Sequence, residues 1–165
     1  MIIRLATTDD VEQLRELVVA YGEEVEERGT ERNDALLLDA IVYGVRAGEA
    51  VVVAEHLEDI VGWCAWVHLP MSPRTKCEGL GTYVTPEWRH DGVSRKLRDF
   101  AERHATALGY RYVDGCAAED NIAGFESVMR MGFRVIGRLV RLEFGTNSNA
   151  PQGVSPRGAA ARADG

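Results

Sequence analysis

The residues best suited to chemistry lie in one stretch, Val84 to Ser94, V-T-P-E-W-R-H-D-G-V-S, between a β-branched run and an amphipathic one. A strand that turns through a glycine into a helix leaves the first N–H groups of that helix unpaired, facing outward at the positive end of the helix dipole. Such a turn binds phosphate. Arg89 places a permanent charge beside it, and Gly92 lets a ligand reach the main chain with no Cβ in the way. Taken alone, one glycine turn is better read as an ordinary strand–helix joint.

The other reactive side chains are scattered. His56 and His68 fall at strand ends without the carboxylate or cysteine spacing of a metal site or a triad. His104 lies on the apolar side of its helix and is expected as a satisfied core histidine. Cys64, Cys77 and Cys116 are odd in number and widely spaced, with no C-x-x-C pair, which points to buried thiols rather than disulfides or a zinc ribbon. Trp63 and Trp66 are expected to pack on a sheet face.

These residues need elements to hold them. Ile2 to Leu5 predicts a strand, and Thr7-Thr8-Asp9-Asp10 supplies N-cap residues for a helix whose stripe is Val11, Leu14, Val18, Tyr21 and Val25, broken at Gly29-Thr30. Asn33 or Asp34 caps a second helix with Leu37, Ile41, Gly44 and Val45 on one face, ending at Gly48. Ala50–Ala54 and Ile60–Val67 predict an antiparallel hairpin turning around Glu58-Asp59, and Cys77–Val84 a further strand stopped by Pro86. Gly92 opens a third helix whose apolar side is Val93, Leu97, Phe100, Ala101, His104, Ala105 and Leu108, with Gly109 as its cap. A short strand at Tyr112-Val113, a helix from Asn121 to Met131 and two short strands within Phe133–Phe144 follow, giving the order βααβββαβαββ.

The chain has 165 residues, 45% of them apolar and 27% charged, which suits one globular domain, read here as residues 1–145, followed by a tail, 146–165, too poor in apolar residues to order. No window reads as a membrane span or a signal peptide, so a cytoplasmic protein is expected. The net charge of −7 argues against general affinity for nucleic acid or an anionic membrane. Between Asp9 and Asp39 eleven acids face three bases, so most of the negative charge is local to the first two helices.

R-x-x-G-x-S at Arg89, Gly92 and Ser94, preceded by Val84 and Pro86 and followed by Leu97, resembles motif A of the GNAT N-acetyltransferase superfamily; Ser94 stands where the family usually has glycine or alanine. Asn121, Phe125 and the run Met131-Gly132-Phe133 are similar to motif B, and Arg4 to Asp10 is similar to the family's usual opening. The resemblance runs over about residues 2 to 144. It implies an α/β fold with a mixed sheet, a GNAT-like acyl-CoA N-acyltransferase fold, in which the Val84 and Val113 strands splay apart and hold acetyl-CoA between them. By the same resemblance, the backbone of Tyr83 and Val84 pairs with the pantetheine arm. Arg89, His90, Gly92, Val93, Ser94 and Arg95 surround the pyrophosphate, and Asn121 bonds the pantetheine region, although Asn121 also fits a plain helix N-cap. No metal is implied.

Acetyl transfer to an amine needs a neutral amine, a route for its proton and stabilisation of the oxyanion. Glu78, six residues before Val84, stands where this family often has a glutamate that takes the proton directly or through water. A carboxylate of ordinary pKa, about 4.3, is a weak base at neutral pH, so burial must raise it or water must help; the other reading is an outward-facing strand glutamate. The family's usual acid, a tyrosine seven residues after the motif B asparagine, is replaced by Val128. Ser127, Tyr83, Cys116 or water is left to protonate the leaving thiolate. Glu23, Glu24, Glu26 and Glu27 either attract a cationic acceptor or form a solvated face. The resemblance thus implies an acetyl-CoA-dependent N-acetyltransferase acting on a primary amine of a small molecule or peptide by direct attack in a ternary complex. The rival is an acyl-CoA-binding sensor or interaction domain without turnover. Homodimers are common among relatives, and the sequence carries no patch that proves one here.

Overall fold

Arg4 and Asp10 set the start of the chain. In a computed structural model that describes residues 1–26, 33–70, 72–115, 125–126, 129–130 and 132–135, strand β1 is Ile2–Leu5 and helix α1 is Val11–Glu26, joined by a single 3-10 turn at Thr8–Asp10. Asp10 is buried, and its carboxylate accepts two bonds from Arg4, at 2.7 and 2.8 Å, and one from the Thr7 N–H at 2.7 Å. This forked contact holds the Asp10 pKa below the ordinary carboxylate range, chiefly through Arg4 and against the opposing effect of burial. Arg4 Nε also donates to Glu55 at 2.6 Å, which ties β1 to its neighbour.

Helix α1 buries Leu14, Val18 and Gly22, three positions of one helical stripe. Helix α2, Asp34–Ala47, is capped by Asn33, whose side chain accepts from Leu36 N at 3.0 Å, and ends at Gly48 in the left-handed region. It buries Leu38, Ile41 and Gly44.

Strands β2, Ala50–His56, and β3, Asp59–Val67, form the expected antiparallel hairpin. Its turn lies one residue earlier than the sequence suggested, at Leu57-Glu58, both at positive φ (51° and 72°). That is a two-residue hairpin turn of the kind whose twist matches the strands, made without the glycine or asparagine that usually marks it. Strand β4, Lys76–Val84, is antiparallel to β3; β5, Tyr112–Gly115, is parallel to β4, reached through the crossover helix α3, Val93–Ala107. The sheet order is β1-β2-β3-β4-β5, a mixed sheet.

Alternation along the strands divides the core. On one face Val51, Val53, Trp63, Ala65, Val67 and Tyr83 pack with Leu14 and Val18 of α1 and Leu38 and Ile41 of α2. The opposite pleat carries Val52 and Cys64, on the side of the buried stripe of α3, Val93, Leu97, Ala101 and Ala105. Each large side chain buried this way contributes about 1.5–3 kcal/mol. His104 is half-buried rather than core, with Nε2 3.0 Å from the Gly48 carbonyl oxygen.

The observed order reproduces the first eight expected elements, βααβββαβ. Phe125, Glu126, Met129 and Arg130 are helical, within the stretch expected as the next helix. The rest of that helix, the two final strands and the tail lie outside the described residues. The chain divides into two compact units, Met1–Gly132 and Phe133–Gly165; of the second, only 133–135 are described. No described helix is long and apolar enough to cross a membrane.

Candidate active site

Strand β4 is paired on one side with β3 and, over its first residues, on the other with β5. Its parallel pairing with β5 covers Lys76–Gly79 against Tyr112–Gly115, whereas its pairing with β3 continues to Val84. From Leu80 to Val84 the edge away from β3 therefore has no strand beside it among the described residues. Strand β4 bulges against β3: Ala65 faces Gly81 and Trp66 faces Gly79, leaving Leu80 as the extra residue. Gly81 is required here, because a Cβ would come within 2.9 Å of Tyr21 and 3.0 Å of Trp63.

Beyond Val84 the chain makes a 3-10 turn at Pro86–Trp88 and enters α3 through Gly92, at φ 72°. No side chain caps this helix, its first turn has no acid, and Arg95 and Lys96 sit in it, unfavourably placed against the dipole. The first backbone bond of the helix runs from Lys96 N to Gly92 O, so the N–H groups of Val93, Ser94 and Arg95 have no backbone acceptor among the described residues. A Cβ on Gly92 would meet nothing within 4 Å, so the space above it is open. His90, also at positive φ (71°), is exposed beside it.

These residues border a depression of about 310 Å³ lined by Val84, Trp88, Arg89, His90, Gly92, Val93, Ser94, Arg95 and Arg98. Seven of the residues expected at the cofactor are thus brought together. Trp88 and Arg98 were not anticipated. Arg98 follows Ser94 by four residues on the same helix face, the one signal that would have found it. It is half-buried, its Nε has no hydrogen-bond partner among the described residues, and burial lowers its pKa. A larger depression, about 470 Å³, lies on the outer turns of α3 against Asp99, Glu102, Arg103 and Thr106, away from the β4 edge.

Arg89 lines the depression, yet its guanidinium is engaged elsewhere. Nε donates to Val84 O at 2.9 Å, an outer nitrogen donates to Glu24 of α1, and the group lies 5.5 Å from the centre of the Tyr83 ring. Tyr83 is buried and packs on Tyr21, with ring centres 6.0 Å apart; Tyr21 in turn meets Trp63 edge-on at 5.3 Å. Burial and then the Glu24 carboxylate push the Tyr83 hydroxyl pKa up. Of the glutamates considered for acceptor attraction, Glu24 is therefore spent on Arg89, while Glu23 and Glu26 are exposed.

Comparison with known proteins bears on this arrangement. The family model for acetyltransferases of the GNAT family matches residues 11–133. The chain belongs to that family. Among solved structures, aminoglycoside N-acetyltransferase AAC(6')-Iy in complex with CoA shares 16% identity at a TM-score of 0.60, covering 87% of this chain and 99% of that one. PaiA N-acetyltransferase from Thermoplasma acidophilum, in complex with coenzyme A, shares 19% at 0.65 over 81% and 89%. Ribosomal-protein-alanine N-acetyltransferase from Brucella melitensis shares 23% at 0.64 over 83% and 86%. At these identities the likeness shows the fold. No curated protein matches the sequence.

In this GNAT chain Glu78 stands on the same sheet face as Tyr83 and Val67. Its carboxylate accepts from Ser72 Oγ at 2.8 Å and lies 2.5 Å from Lys76 Nζ, which also reaches Asp114 at 3.2 Å. Burial pulls its pKa upward, but Lys76 and Ser72 outweigh that and leave it below the ordinary value. The raised pKa that a strong base would need is absent. Cys64 and Cys77 are free and buried. Asn121, Val128, Ser127 and Cys116 lie outside the described residues, and no cluster of histidine, cysteine and carboxylate fit for a metal ion occurs among the described ones.

Proposed function

We propose that this GNAT acetyltransferase is an acetyl-CoA-dependent N-acetyltransferase that passes the acetyl group to a primary amine of a small molecule or peptide by direct attack in a ternary complex. The observation that carries this is the acid-free start of α3, without a side-chain cap among the described residues, at the end of β4. The N–H groups of Val93, Ser94 and Arg95 suit a pyrophosphate, with Arg95 and Arg98 neutralising it and Gly92 giving way to it. The β4 edge around Tyr83 and Val84 suits the amides of the pantetheine arm. The CoA complexes among the structural neighbours support the cofactor, and neighbours named for an aminoglycoside and for a ribosomal-protein alanine support an amine acceptor of either size.

Glu78, ionised at neutral pH, would attract the acceptor ammonium and take its proton through water, acting as a weak base helped by its charge. The CoA thiolate, from a thiol of pKa about 8.5, leaves with modest help.

The second reading, an acyl-CoA-binding domain without turnover, is favoured by one observation: the Glu78 carboxylate is already held by Lys76 and Ser72. Two measurements separate the readings. Ligand at about 100 times its Kd stabilises by about 2.7 kcal/mol, so acetyl-CoA and CoA, but not ATP, should raise the melting temperature under either. CoA release over a panel of amines should follow only under the first, and Glu78→Gln should then slow turnover by about tenfold or more with CoA affinity unchanged. A selective thermal shift without release from any amine would favour the sensor.

A further inference from the structure

We propose that Arg89 is a positioning residue: it ties α1 to the end of β4 and supports cofactor affinity through Glu24 and Val84, without touching the phosphates. The inference rests on the cofactor site proposed above. Its ground is that the guanidinium, expected beside the phosphate turn, is already bound on three sides. Nε holds the carbonyl of Val84, the last residue of β4, where the strand passes into the turn. An outer nitrogen holds Glu24, 65 residues away in sequence and on α1. The guanidinium carbon lies over the Tyr83 ring, 5.5 Å from its centre, and Tyr83 is itself fixed against Tyr21. Arg98 lines the same depression, and its Nε has no hydrogen-bond partner among the described residues, so Arg98 is the cation we assign to an anion there.

The geometry also distinguishes the two roles by chemistry. A strut needs a planar fork that reaches a carbonyl and a carboxylate in different directions, which guanidinium supplies and ammonium does not. A phosphate ligand needs mainly charge, which lysine keeps. If Glu24 merely held Arg89 away from a phosphate, removing its charge would release the guanidinium and tighten binding. If Arg89 is a strut, removing that charge loosens the strand end and weakens binding.

The test is the Kd of CoA by isothermal titration for the wild type, Arg89→Lys, Glu24→Gln and the double variant, each with a thermal melt. Both single variants should weaken CoA about five- to tenfold at full stoichiometry, and the double variant no more than Arg89→Lys alone, since the contact that Glu24→Gln cuts is already lost in Arg89→Lys. Arg89→Lys within twofold of the wild type, tighter or unchanged binding in Glu24→Gln, or additive losses would each overturn the proposal. A merely structural role lowers melting temperature and stoichiometry and leaves the Kd of the folded fraction alone, and that result overturns it too. A wild type that does not bind CoA removes the cofactor site and this inference together; a wild type that binds, with Glu24→Gln silent, removes the inference alone.

Discussion

Gly92 and Gly48 form a matched pair that separates backbone strain from ligand contact. Both lie in the left-handed region, at φ 72° and 70°, and a Cβ on either meets no heavy atom within 4 Å. Alanine at each position pays a similar conformational penalty, about 1–2 kcal/mol, partly offset by the smaller entropy of the unfolded chain. A net loss of about 1 kcal/mol in a chain of this size lowers the melting temperature by about 2–4 °C. The two variants should therefore melt alike. They should bind CoA very differently, because only Gly92 opens onto the depression at the start of α3, whereas Gly48 caps α2. A methyl group above Gly92 displaces a phosphate oxygen from the N–H groups of the first turn, and one charge-assisted hydrogen bond lost costs about 1.5–3 kcal/mol, tenfold or more in Kd. Calorimetric melting and titration with CoA measure both quantities on the same samples. Gly92→Ala should lose at least about tenfold in affinity and Gly48→Ala less than about twofold. Wild-type affinity in Gly92→Ala would refute the idea that a ligand approaches the main chain there. Equal losses in both variants would assign the effect to strain.

Three further outcomes follow from groups already described. Arg98→Leu removes a desolvated cation whose Nε has no partner among the described residues, so it should hold or raise the melting temperature while weakening CoA about tenfold. Asp10 has a folded pKa below its unfolded value of about 3.9, so the stability it contributes is complete above that value and is lost as the pH falls through the folded one. With Arg4 about one-third exposed, Asp10→Asn should cost about 1–3 kcal/mol at neutral pH and flatten the acid limb of a melting-temperature profile; an unchanged limb would mean that the pair does not drive acid unfolding. Burial pushes the thiols of Cys64 and Cys77 up to about 12 and about 11, so iodoacetamide at pH about 8 should leave both unlabelled in the folded protein and label both in denaturant, read by peptide mass spectrometry.

What the sequence made legible was what depends on local pattern. The stripe of α1 announced Leu14 and Val18, Asn33 took one of the two caps offered for α2, and the glycine turn before α3 stood out by composition. The hairpin turn was displaced by one residue because Leu57 and Glu58 adopt positive φ without the residue types that signal it. The contact of Arg89 with Glu24 could not be read at all, since nothing local ties residues 65 apart. Arg98 sits beside an apolar stripe and looks like any surface arginine until the sheet is placed beneath it. The pairing of Glu78 with Lys76 was within reach, because residues two apart on a strand share a face, and it bears directly on how strong a base Glu78 is.

Several locally unfavourable features of the described residues meet at the start of α3. Among the described residues, a helix begins with basic residues against its dipole and without a side-chain cap, an arginine is half-buried with an unpartnered nitrogen, and a glycine at positive φ faces open space. The first two cost stability, about 0.3–1 kcal/mol for each charge at the wrong helix end. In a protein of net charge −7 the same depression concentrates arginines, so its field opposes that of the rest of the surface. An anion that accepts hydrogen bonds from main-chain N–H groups would reverse all of these at once: it caps the helix, pairs the cations and fills the gap above the glycine. Sites where several local rules fail together, and where one ligand repairs every failure, are where sequences have been shaped for binding rather than for folding. These costs are what the proposed binding of a phosphate-bearing molecule at the start of α3 would offset.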